Sequence, residues 1–359
     1  GLEQDKLRAE YEEIMKLIAY LKELLASKEM RMQVIKDELA EIRDKYGDER
    51  RSQIEYSGGD VSIEDLIADE SVVITISHAG YIKRTSLSEY KTQNRGGVGQ
   101  KSAGTRDQDF LEHLFVATNH QYLMFFTQKG KCYWMRVYEI PEGTKTSKGR
   151  AIQNLINIEQ DDKVKAFICT QDLKDQDYIN SHYVIMATKQ GQVKKTPLEQ
   201  YSRPRQNGIN AITIKEDDEL IGAKLTTGNS QVLIAVKSGK LVRFEEEKTR
   251  PMGRTASGVR GITLADEKDE VIGLVSIDKD HVNDSQLLVV TENGYGKRTK
   301  LVDEDGEDVY RITNRGGKGV KTLNITEKTG QLISINDVTD EDDLMIINKS
   351  GLTIRMMVS

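Results

Sequence analysis

Two short loops in this 359-residue chain combine glycine with arginine in a way that suits phosphate binding. Glycine allows positive φ and a tight path that exposes backbone N–H groups, and arginine adds a charge-assisted hydrogen bond to a phosphate oxygen. Contacts of this type hold a nucleic-acid backbone without reading its bases. Tight turns between β-elements are the alternative, but the pattern occurs twice almost intact, and we therefore favour phosphate binding. The two loops are Gln93, Asn94, Arg95, Gly96, Gly97, Val98 and Gly99, and Asn314, Arg315, Gly316, Gly317, Lys318 and Gly319.

A second set of basic residues recurs at the end of a repeated strand-turn-strand phrase and in the glycine-rich loop that follows it. Any single member would more often be a solvated surface charge than a contact. In a circular array, however, equivalent positions form a belt, which is a track for a curved polyanion such as bent duplex DNA. Bending roughly 20–30 base pairs of duplex costs about 1–6 kcal/mol, which many distributed phosphate contacts offset. The predicted rim cations are Lys83, Arg84, Lys101, Lys131, Arg136, Lys148, Arg150, Lys194, Lys195, Arg203, Arg205, Lys240, Arg243, Arg254, Arg260, Lys297, Arg298, Lys321 and Arg355.

The elements that must position these cations form a repeat. Six phrases run hydrophobic strand, polar pair, glycine, strand and then Lys or Arg, and their turn glycines are spaced 50, 61, 48, 55 and 57 residues apart. A period of roughly this length with several strands per repeat is typical of propeller-like arrays. We therefore predict a mainly β, six-bladed, propeller-like toroid with about four strands per blade. The turn glycines are Gly80, Gly130, Gly191, Gly239, Gly294 and Gly351.

The predicted domains are a helical arm at 1–55, a linker at 56–70 and the β-array at 71–359, whose sixth blade is truncated. That truncation means either that the chain is a fragment or that an early strand closes the ring. Apolar residues in the arm recur at the three- or four-residue spacing of one helical face. Ser27 is the expected N-cap of a second helix, and Gly47 is its expected stop. The apolar stripe either packs on its own domain or, as we favour, pairs as a coiled coil with a helix outside this chain.

Composition bounds the classes of function. The net charge is −6, but residues 1–70 hold 11 basic and 19 acidic residues whereas residues 71–359 hold 41 and 39, so the total is compatible with a basic rim on the array. No P-loop, HExxH, GxSxG or His/Cys cluster occurs in the sequence, so neither an enzyme site nor a metal site is predicted. Cys132 and Cys169 fit buried thiols in a reducing compartment. No signal peptide and no apolar run of about 18 residues is present, which predicts a cytoplasmic protein.

The loop at 93–99 resembles the gyrase A box, usually Gln-Arg-Arg-Gly-Gly-x-Gly, of the C-terminal domain in the DNA gyrase A family. Residues 3–55 resemble the end of that family's breakage-reunion region with its returning coiled-coil helix, and 72–359 resemble its six-bladed β-pinwheel. The sequence as a whole most resembles the gyrase A sequences of Bacteroidota. The resemblance implies a module that wraps duplex DNA around its rim with positive handedness. Its partners would be the gyrase B subunits and a second gyrase A chain in an A2B2 holoenzyme, which supercoils DNA negatively using ATP and Mg²⁺ bound by other domains.

The same resemblance implies that this chain alone is not an enzyme, needs no cofactor of its own and lies in the cytoplasm at the nucleoid. The family's nucleophilic tyrosine belongs upstream, in an Ala-Ala-x-Arg-Tyr context that this sequence does not contain. Asn94 departs from the box by replacing its first arginine, which removes one cation. The second loop retains Arg315 and Lys318 and is expected to share the contact.

Two alternatives remain open. The first is the corresponding C-terminal domain of the related topoisomerase IV, which usually lacks an intact box and has a shorter or broken array. The box at 93–99 and the sixth hairpin favour gyrase over this alternative. The second is a protein-binding propeller, which would associate with DNA weakly and without a response to salt. If the rim binds DNA, the logarithm of the association constant K is expected to fall steeply as the logarithm of the salt concentration rises.

Overall fold

The computed structural model describes residues 2–52, 54, 63–90, 100–101, 109, 111–347 and 352–358. The chain divides into two compact units, residues 1–61 and 62–359. The loop predicted to be a gyrase A box, residues 93–99, lies outside the described residues, as does most of the predicted linker.

The first unit consists of two helices, α1 (Leu2–Ala26) and α2 (Lys28–Tyr46). The hydroxyl of Ser27 accepts a hydrogen bond from the N–H of Met30 at 3.3 Å and so caps α2. Gly47 follows the last turn, and its N–H donates to the carbonyl of Arg43 at 2.7 Å. Both predicted helix boundaries are therefore confirmed.

Most apolar side chains of the two helices are exposed to solvent in this chain. Leu7, Tyr11 and Leu25 keep 68%, 65% and 73% of their surface accessible. Because a single helix rarely leaves a full apolar stripe in water, this exposure supports a partner helix outside the chain. The coiled-coil pairing itself stays a prediction.

The second unit is built from the six repeats, and the strands follow chain order. Repeat 1 contains β1 (Ser71–Ser77), β2 (Tyr81–Ser86), β3 (Gln100–Lys101) and β4 (Leu111–Thr118), and repeat 2 contains β5 (Tyr122–Thr127), β6 (Lys131–Arg136), β7 (Arg150–Ala151) and β8 (Val164–Thr170). Repeat 3 contains β9 (Tyr183–Thr188), β10 (Gln192–Pro197), β11 (Ile209–Asn210) and β12 (Leu220–Thr226), and repeat 4 contains β13 (Ser230–Val236), β14 (Lys240–Glu245), β15 (Val259–Arg260) and β16 (Val271–Asp278). Repeat 5 contains β17 (Gln286–Thr291), β18 (Gly296–Lys300), β19 (Val320–Lys321) and β20 (Leu332–Val338), and repeat 6 contains β21 (Asp343–Ile347) and β22 (Leu352–Met357).

Helices are few and short in the described part of this unit. One helix, α3 (Gln176–Ser181), precedes the third hairpin. Single 3-10 turns occupy Ile63–Leu66, Leu87–Glu89, Val137–Glu139, Ile152–Asn154, Leu198–Tyr201, Glu246–Lys248 and Lys279–His281.

Each blade is an antiparallel sheet, and the first four blades are completed by a strand exchanged from the next repeat. In repeats 1 to 5 the two hairpin strands pair with each other, and the last strand of the repeat pairs with the first hairpin strand. The two-residue strand of a repeat pairs instead with the second hairpin strand of the preceding repeat. The resulting sheets are β4-β1-β2-β7, β8-β5-β6-β11, β12-β9-β10-β15, β16-β13-β14-β19 and the three-stranded β20-β17-β18.

The hairpins form as predicted because glycine occupies each tight turn. The five turn glycines that the structure describes, in repeats 1 to 5, have φ between 81° and 90°, a region that other residues rarely adopt. At Gly239 a Cβ atom would also lie 2.5 Å from the carbonyl oxygen of Leu323, in the exchanged segment of the next repeat. The glycine is therefore needed both for the turn and for the close approach of that segment.

The predicted number of blades was wrong, because the described residues form five complete blades rather than six. A complete blade needs a hairpin and the last strand of the same repeat, and the sixth repeat supplies only the hairpin β21–β22. That hairpin pairs with the early strand β3, with Leu352 opposite Lys101 and Thr353 opposite Gln100. The alternative in which an early strand contributes to the last hairpin is therefore observed.

Hydrophobic clusters join neighbouring blades. Ile74 of blade 1 and Phe125 of blade 2 belong to one cluster, and Leu233 of blade 4 and Leu287 of blade 5 belong to another. Further clusters join blades 2 and 3 and blades 3 and 4. Burying each such side chain contributes about 1.5–3 kcal/mol. The inner strands β8, β12, β16 and β20 contact one another in turn, which leaves the exchanged strands at the outer edges.

A repeated aspartate, not recognised from the sequence, fixes the hairpin turns. Its carboxylate accepts the N–H of the residue just before the turn glycine. The donor–acceptor pairs are Ala79 to Asp109 at 2.8 Å, Lys129 to Asp162 at 3.1 Å, Gln190 to Asp218 at 2.9 Å and Ser238 to Asp269 at 3.1 Å. The signal was present, because an aspartate precedes the last strand of each of these repeats.

Candidate nucleic-acid interface

The outermost strands carry exposed cations at related positions. Arg150 on β7, Arg260 on β15 and Lys321 on β19 are all exposed. Arg260 lies opposite Gln192, and Lys321 lies opposite Lys240, so each faces the residue that follows a turn glycine. A cation on the outer strand of successive blades is the arrangement that a curved polyanion can follow.

Of the two other outer strands, β3 carries a cation at this position and β11 does not. Lys101 on β3 occupies the same register position, opposite Leu352. Asn210 takes that position on β11, opposite Lys131, so repeat 3 lacks the outer-strand cation. Arg150 is displaced by one residue and lies opposite Ile82, beside the position that the others occupy.

The second glycine-rich loop, residues 314–319, is held tightly against repeat 4. The Nε of Arg315 donates to the carbonyl of Lys248 at 3.1 Å, and another guanidinium nitrogen donates to the carbonyl of Arg260 at 2.9 Å. The N–H of Gly316 donates to the carbonyl of Gly261 at 2.7 Å. This loop therefore serves as a tight turn between blades, and its arginine is already engaged with backbone. Its accessible cation is Lys318, which is exposed.

Gly319 is expected to be the least replaceable residue of this loop. Its φ is +76°, and a Cβ atom there would lie 2.5 Å from the carbonyl oxygen of Leu241. We expect Gly319→Ala to lower the free energy of unfolding by about 1–3 kcal/mol and to speed amide exchange at β19. Gly317→Ala is the matched control, because nothing lies closer than 3.9 Å to its added Cβ. Equal effects of both substitutions, measured by chemical denaturation, would contradict this account.

In repeats 1 and 3, the first basic residue after the hairpin turn is a buried lysine. Lys83 and Lys194 are 2% and 0% exposed, and their Nζ atoms donate to backbone carbonyls at the blade junctions. Burial lowers the pKa of Lys83 to about 8, although the carboxylate of Glu89 opposes this shift. Burial and the nearby Arg254 lower the pKa of Lys194 to about 7.

The next hairpin-end residue along each strand also joins neighbouring repeats. Arg84 donates through Nε to the carbonyl of Ile140 at 3.2 Å, and Arg243 donates to the carbonyl of Leu301 at 3.2 Å. Arg298 donates to the carbonyl of the last described residue at 2.6 Å. In each case the acceptor belongs to the following repeat, so these cations connect one blade to the next.

Lys195 takes part in a buried ion pair between repeats 3 and 4. Its Nζ lies 3.3 Å from a carboxylate oxygen of Glu246 and 4.3 Å from the centroid of the Tyr183 ring. The same carboxylate accepts the hydroxyl of Thr226 and, at 3.1 Å, the N–H of Ser230. Glu246 is 1% exposed and Lys195 is 5% exposed, so the pair is shielded from water.

These contacts correct the predicted belt. Burial removes Lys83, Lys194, Lys195 and Arg243 from the cations that a ligand can reach in this structure. The physical reason is that loop carbonyls converge at each blade junction, and a long basic side chain at the hairpin end reaches them. The recurrence of these residues therefore reflects how blades are joined.

Two further predicted cations have acidic partners. The guanidinium of Arg136 lies 3.7 Å from the centroid of the Tyr122 ring and 3.0 Å from a carboxylate oxygen of Glu64. The ammonium of Lys131 lies 3.1 Å from a carboxylate oxygen of Glu159. A polyanion would have to compete with these carboxylates for both cations.

The other predicted cations divide by accessibility. Lys240, Lys148 and Arg254 are partly buried. Backbone register alone places Lys101 and Arg355, the latter opposite Met345 on β21. The exposed members are Arg150, Arg203, Arg205, Arg260, Lys297, Arg298, Lys318 and Lys321.

Comparison with known proteins assigns this arrangement to a family. A sequence profile described as the DNA gyrase C-terminal domain, beta-propeller, matches five stretches that coincide with the five complete blades. These are residues 71–118, 121–171, 182–227, 231–278 and 285–338. The chain belongs to the DNA gyrase A C-terminal domain family. The gyrase A protein of Staphylococcus epidermidis is 46% identical over 359 residues, which is 100% of this chain and 39% of that protein. The chain thus spans about two fifths of the length of the curated relatives it matches.

Solved structures agree with the family assignment. A structure of a DNA gyrase A C-terminal domain superposes with a TM-score of 0.66 at 25% identity, covering 80% of this chain and 89% of that chain. The C-terminal domain of a DNA topoisomerase IV superposes with a TM-score of 0.59 at 26% identity, covering 81% and 85%. Together with the family profile, these matches favour the gyrase interpretation over topoisomerase IV. The resemblance to Bacteroidota sequences stays a prediction.

The described part of the gyrase-type domain contains no group of three or more His, Cys, Asp or Glu side chains placed to hold a metal ion. Among the described residues, no helix is long and apolar enough to span a membrane. Cys132 is buried and Cys169 is partly buried, and both are free thiols.

Proposed function

We propose that this chain binds duplex DNA along its outer strands and bends or wraps it, as the C-terminal module of a DNA gyrase A protein. The observation that carries the proposal is the exposed cation on the outer strand of blades 1, 3 and 4, in a chain of the gyrase A C-terminal domain family. The parent protein would be part of a topoisomerase. Pairing with a second gyrase A chain, assembly with two gyrase B subunits, and ATP-driven negative supercoiling by that holoenzyme belong to the same proposal.

The chemistry of such binding is contact with phosphates and not with base edges. The side chains of Arg150, Arg260 and Lys321 stand on separate blades, so each meets the DNA at a different point along a curved path. Each neutralised phosphate releases counterions, so log K falls with log salt concentration by about 0.9 for each contact. Contacts spread over several blades offset the cost of bending, which is about 1–6 kcal/mol for a site of 20–30 base pairs.

The glycine-rich loops are part of the proposed interface. Lys318 extends the set of accessible cations beside Lys321. The box at 93–99, with Asn94 in place of the usual arginine, is also proposed to contact DNA, as its resemblance to the gyrase A box implies. Arg203 and Arg205 supply cations to repeat 3, whose outer strand lacks one.

The combined substitution of Arg150, Arg260 and Lys321 by alanine tests the proposal. We expect DNA affinity to fall and the slope of log K against log salt to become shallower by about 0.9 for each lost contact. Lys224→Ala is the control, because Lys224 is also exposed but lies on the inner strand β12. Fluorescence anisotropy with a short duplex at several salt concentrations measures both quantities.

Ligation of nicked circular DNA in the presence of the chain separates wrapping from simple binding. A positive shift in linking number that the triple substitution abolishes is the expected result. Salt-dependent binding without a shift would mean that DNA is held but not wrapped, as in the topoisomerase IV alternative. Weak binding that does not respond to salt would overturn the proposal and leave a protein-binding propeller.

A further inference from the structure

The residue three positions after each turn glycine alternates along the chain. Repeats 1, 3 and 5 place a lysine there, whereas repeats 2, 4 and 6 place an aromatic or aliphatic residue. The lysines of repeats 1 and 3 are buried and face backbone carbonyls of glycine-rich loops. The alternating residues are Lys83, Tyr133, Lys194, Val242, Lys297 and Ile354.

The ammonium group of Lys83 binds the backbone of the glycine-rich loop of repeat 2. Its Nζ lies 3.0, 2.6 and 2.8 Å from the carbonyl oxygens of Thr144, Lys145 and Ser147. A protonated lysine carries three N–H groups, so one ammonium satisfies three carbonyls that cluster within four residues. The loop is therefore folded around this ammonium.

A glycine at the end of the loop lets it approach the hairpin that carries Lys83. Gly149 has a φ of +80°, and a Cβ atom there would lie 2.5 Å from the carbonyl oxygen of Ile82 and 3.1 Å from the Cβ of Lys83. Thr85 adds a hydrogen bond from its hydroxyl to the carbonyl of Gly143 at 3.1 Å. Two side chains of the hairpin of repeat 1, Lys83 and Thr85, thus donate hydrogen bonds to the backbone of a loop of repeat 2.

The same loop carries three cations close together in sequence. The Nζ of Lys145 lies 4.8 Å from the centroid of the Tyr90 ring, and that of Lys148 lies 4.5 Å from the centroid of the Tyr81 ring. Arg150 follows on the outer strand and is exposed. While the carbonyls face the buried ammonium, three cations within six residues stand at the edge of blade 1.

Lys194 repeats this device two blades further on. Its Nζ donates to the carbonyl of Arg254 at 2.6 Å and to the carbonyl of Ala211. Residue 254 lies in the glycine-rich loop 253–258 of repeat 4, which leads directly into the exposed Arg260 on β15. The buried lysine again stands one repeat before the loop that it holds.

We propose that Lys83 and Lys194 are positioning residues for DNA binding, which hold the loops at 143–149 and 253–258 so that Lys148, Arg150 and Arg260 present their charges to phosphates. This inference rests on the proposed function and adds residues that do not touch DNA. The ammonium offsets the partial negative charge of the loop carbonyls, which would otherwise repel a phosphate. It also orders the loop before binding, which lowers the conformational entropy lost when DNA binds.

Two independent substitutions test the proposal, Lys83→Met and Lys194→Met, with Lys224→Met as the control. Methionine is unbranched and only one atom shorter than lysine, and it removes the donors. At pH 6.5, where both lysines of the unaltered chain are mostly protonated, we expect amide exchange in the corresponding loop to speed up on the order of tenfold while the inner strands keep their protection. Affinity for a short DNA duplex is expected to fall on the order of tenfold, with a salt slope shallower by about 0.9 for each lost contact.

The salt slope distinguishes positioning from a general loss of folded protein. A smaller folded fraction lowers the apparent affinity but leaves the slope unchanged, and that result in both variants would overturn the proposal. Unchanged affinity in a variant whose loop exchanges faster would overturn it as well. If the unaltered chain fails to bind DNA, the proposed function fails and the binding role of the lysines fails with it. The exchange data then still decide whether Lys83 and Lys194 hold the loops.

Discussion

Replacing Glu246 by alanine is expected to lower the free energy of unfolding by about 3–5 kcal/mol, because it leaves a buried ammonium without its counter-charge. The carboxylate is the partner of Lys195 at 3.3 Å, and it also accepts the hydroxyl of Thr226 and the N–H of Ser230. Removing it strands all three donors in a junction that water does not reach. Equilibrium denaturation in urea measures the loss.

A second substitution separates the charge from the packing. Combining Glu246→Met with Lys195→Met removes both charges, and we expect it to recover the part of the loss that is due to the unpaired ammonium. The recovery is incomplete, because the hydroxyl of Thr226 and the N–H of Ser230 still lack their acceptor. Glu247→Ala, one residue along and exposed, is the control and is expected to change stability by less than about 0.5 kcal/mol. A loss below about 1 kcal/mol for Glu246→Ala would show that the pair is not formed in solution.

Replacing Arg243 by methionine is the other substitution with a large expected effect. The guanidinium is 1% exposed and donates to the side chain of Gln231 at 2.8 Å and to the carbonyls of Leu301 at 3.2 Å and Tyr310 at 2.9 Å. Each buried acceptor left without a donor costs about 1–3 kcal/mol. We expect the free energy of unfolding to fall by about 2–4 kcal/mol and amide exchange to rise in repeat 5, where two of the acceptors lie.

Two comparison variants make this result specific. Arg250→Met removes an exposed arginine from the same repeat and is expected to be close to neutral. Arg243→Lys keeps the charge but loses the planar guanidinium with its several donors. We expect its free energy of unfolding to lie between those of the unaltered chain and Arg243→Met. If Arg243→Lys matched the unaltered chain, the charge alone would explain the role of this residue and the hydrogen bonds would not.

Local features of the fold were predictable from the sequence. The hairpins followed from the turn glycines, and the helix boundaries followed from Ser27 and Gly47, because these residues act through their own backbone and its nearest neighbours. Membership of the gyrase A family was also predictable, since the repeats and the box could be compared with a known pattern.

Non-local features could not be predicted in the same way. The sequence shows that a cation follows each hairpin but not what it meets, and the carbonyls that bind Lys83 lie about sixty residues away along the chain. The exchange of two-residue strands was equally hidden, because Arg150 and Ala151 give no periodic signal of their own. For the same reason the sixth hairpin was counted as a blade, although its third strand, β3, comes from the beginning of the array.

The exchange of short strands also has an evolutionary consequence. Repeats 2 to 5 each give their two-residue strand to the preceding repeat, so the junctions between repeats 1 and 5 share one pattern of strand pairing. Duplicating or deleting one of these repeats therefore preserves the pattern of strand pairing, and the donor strand of the next repeat still finds an acceptor. An array of this design can change its number of blades, and with it the length of its outer edge, in single genetic steps.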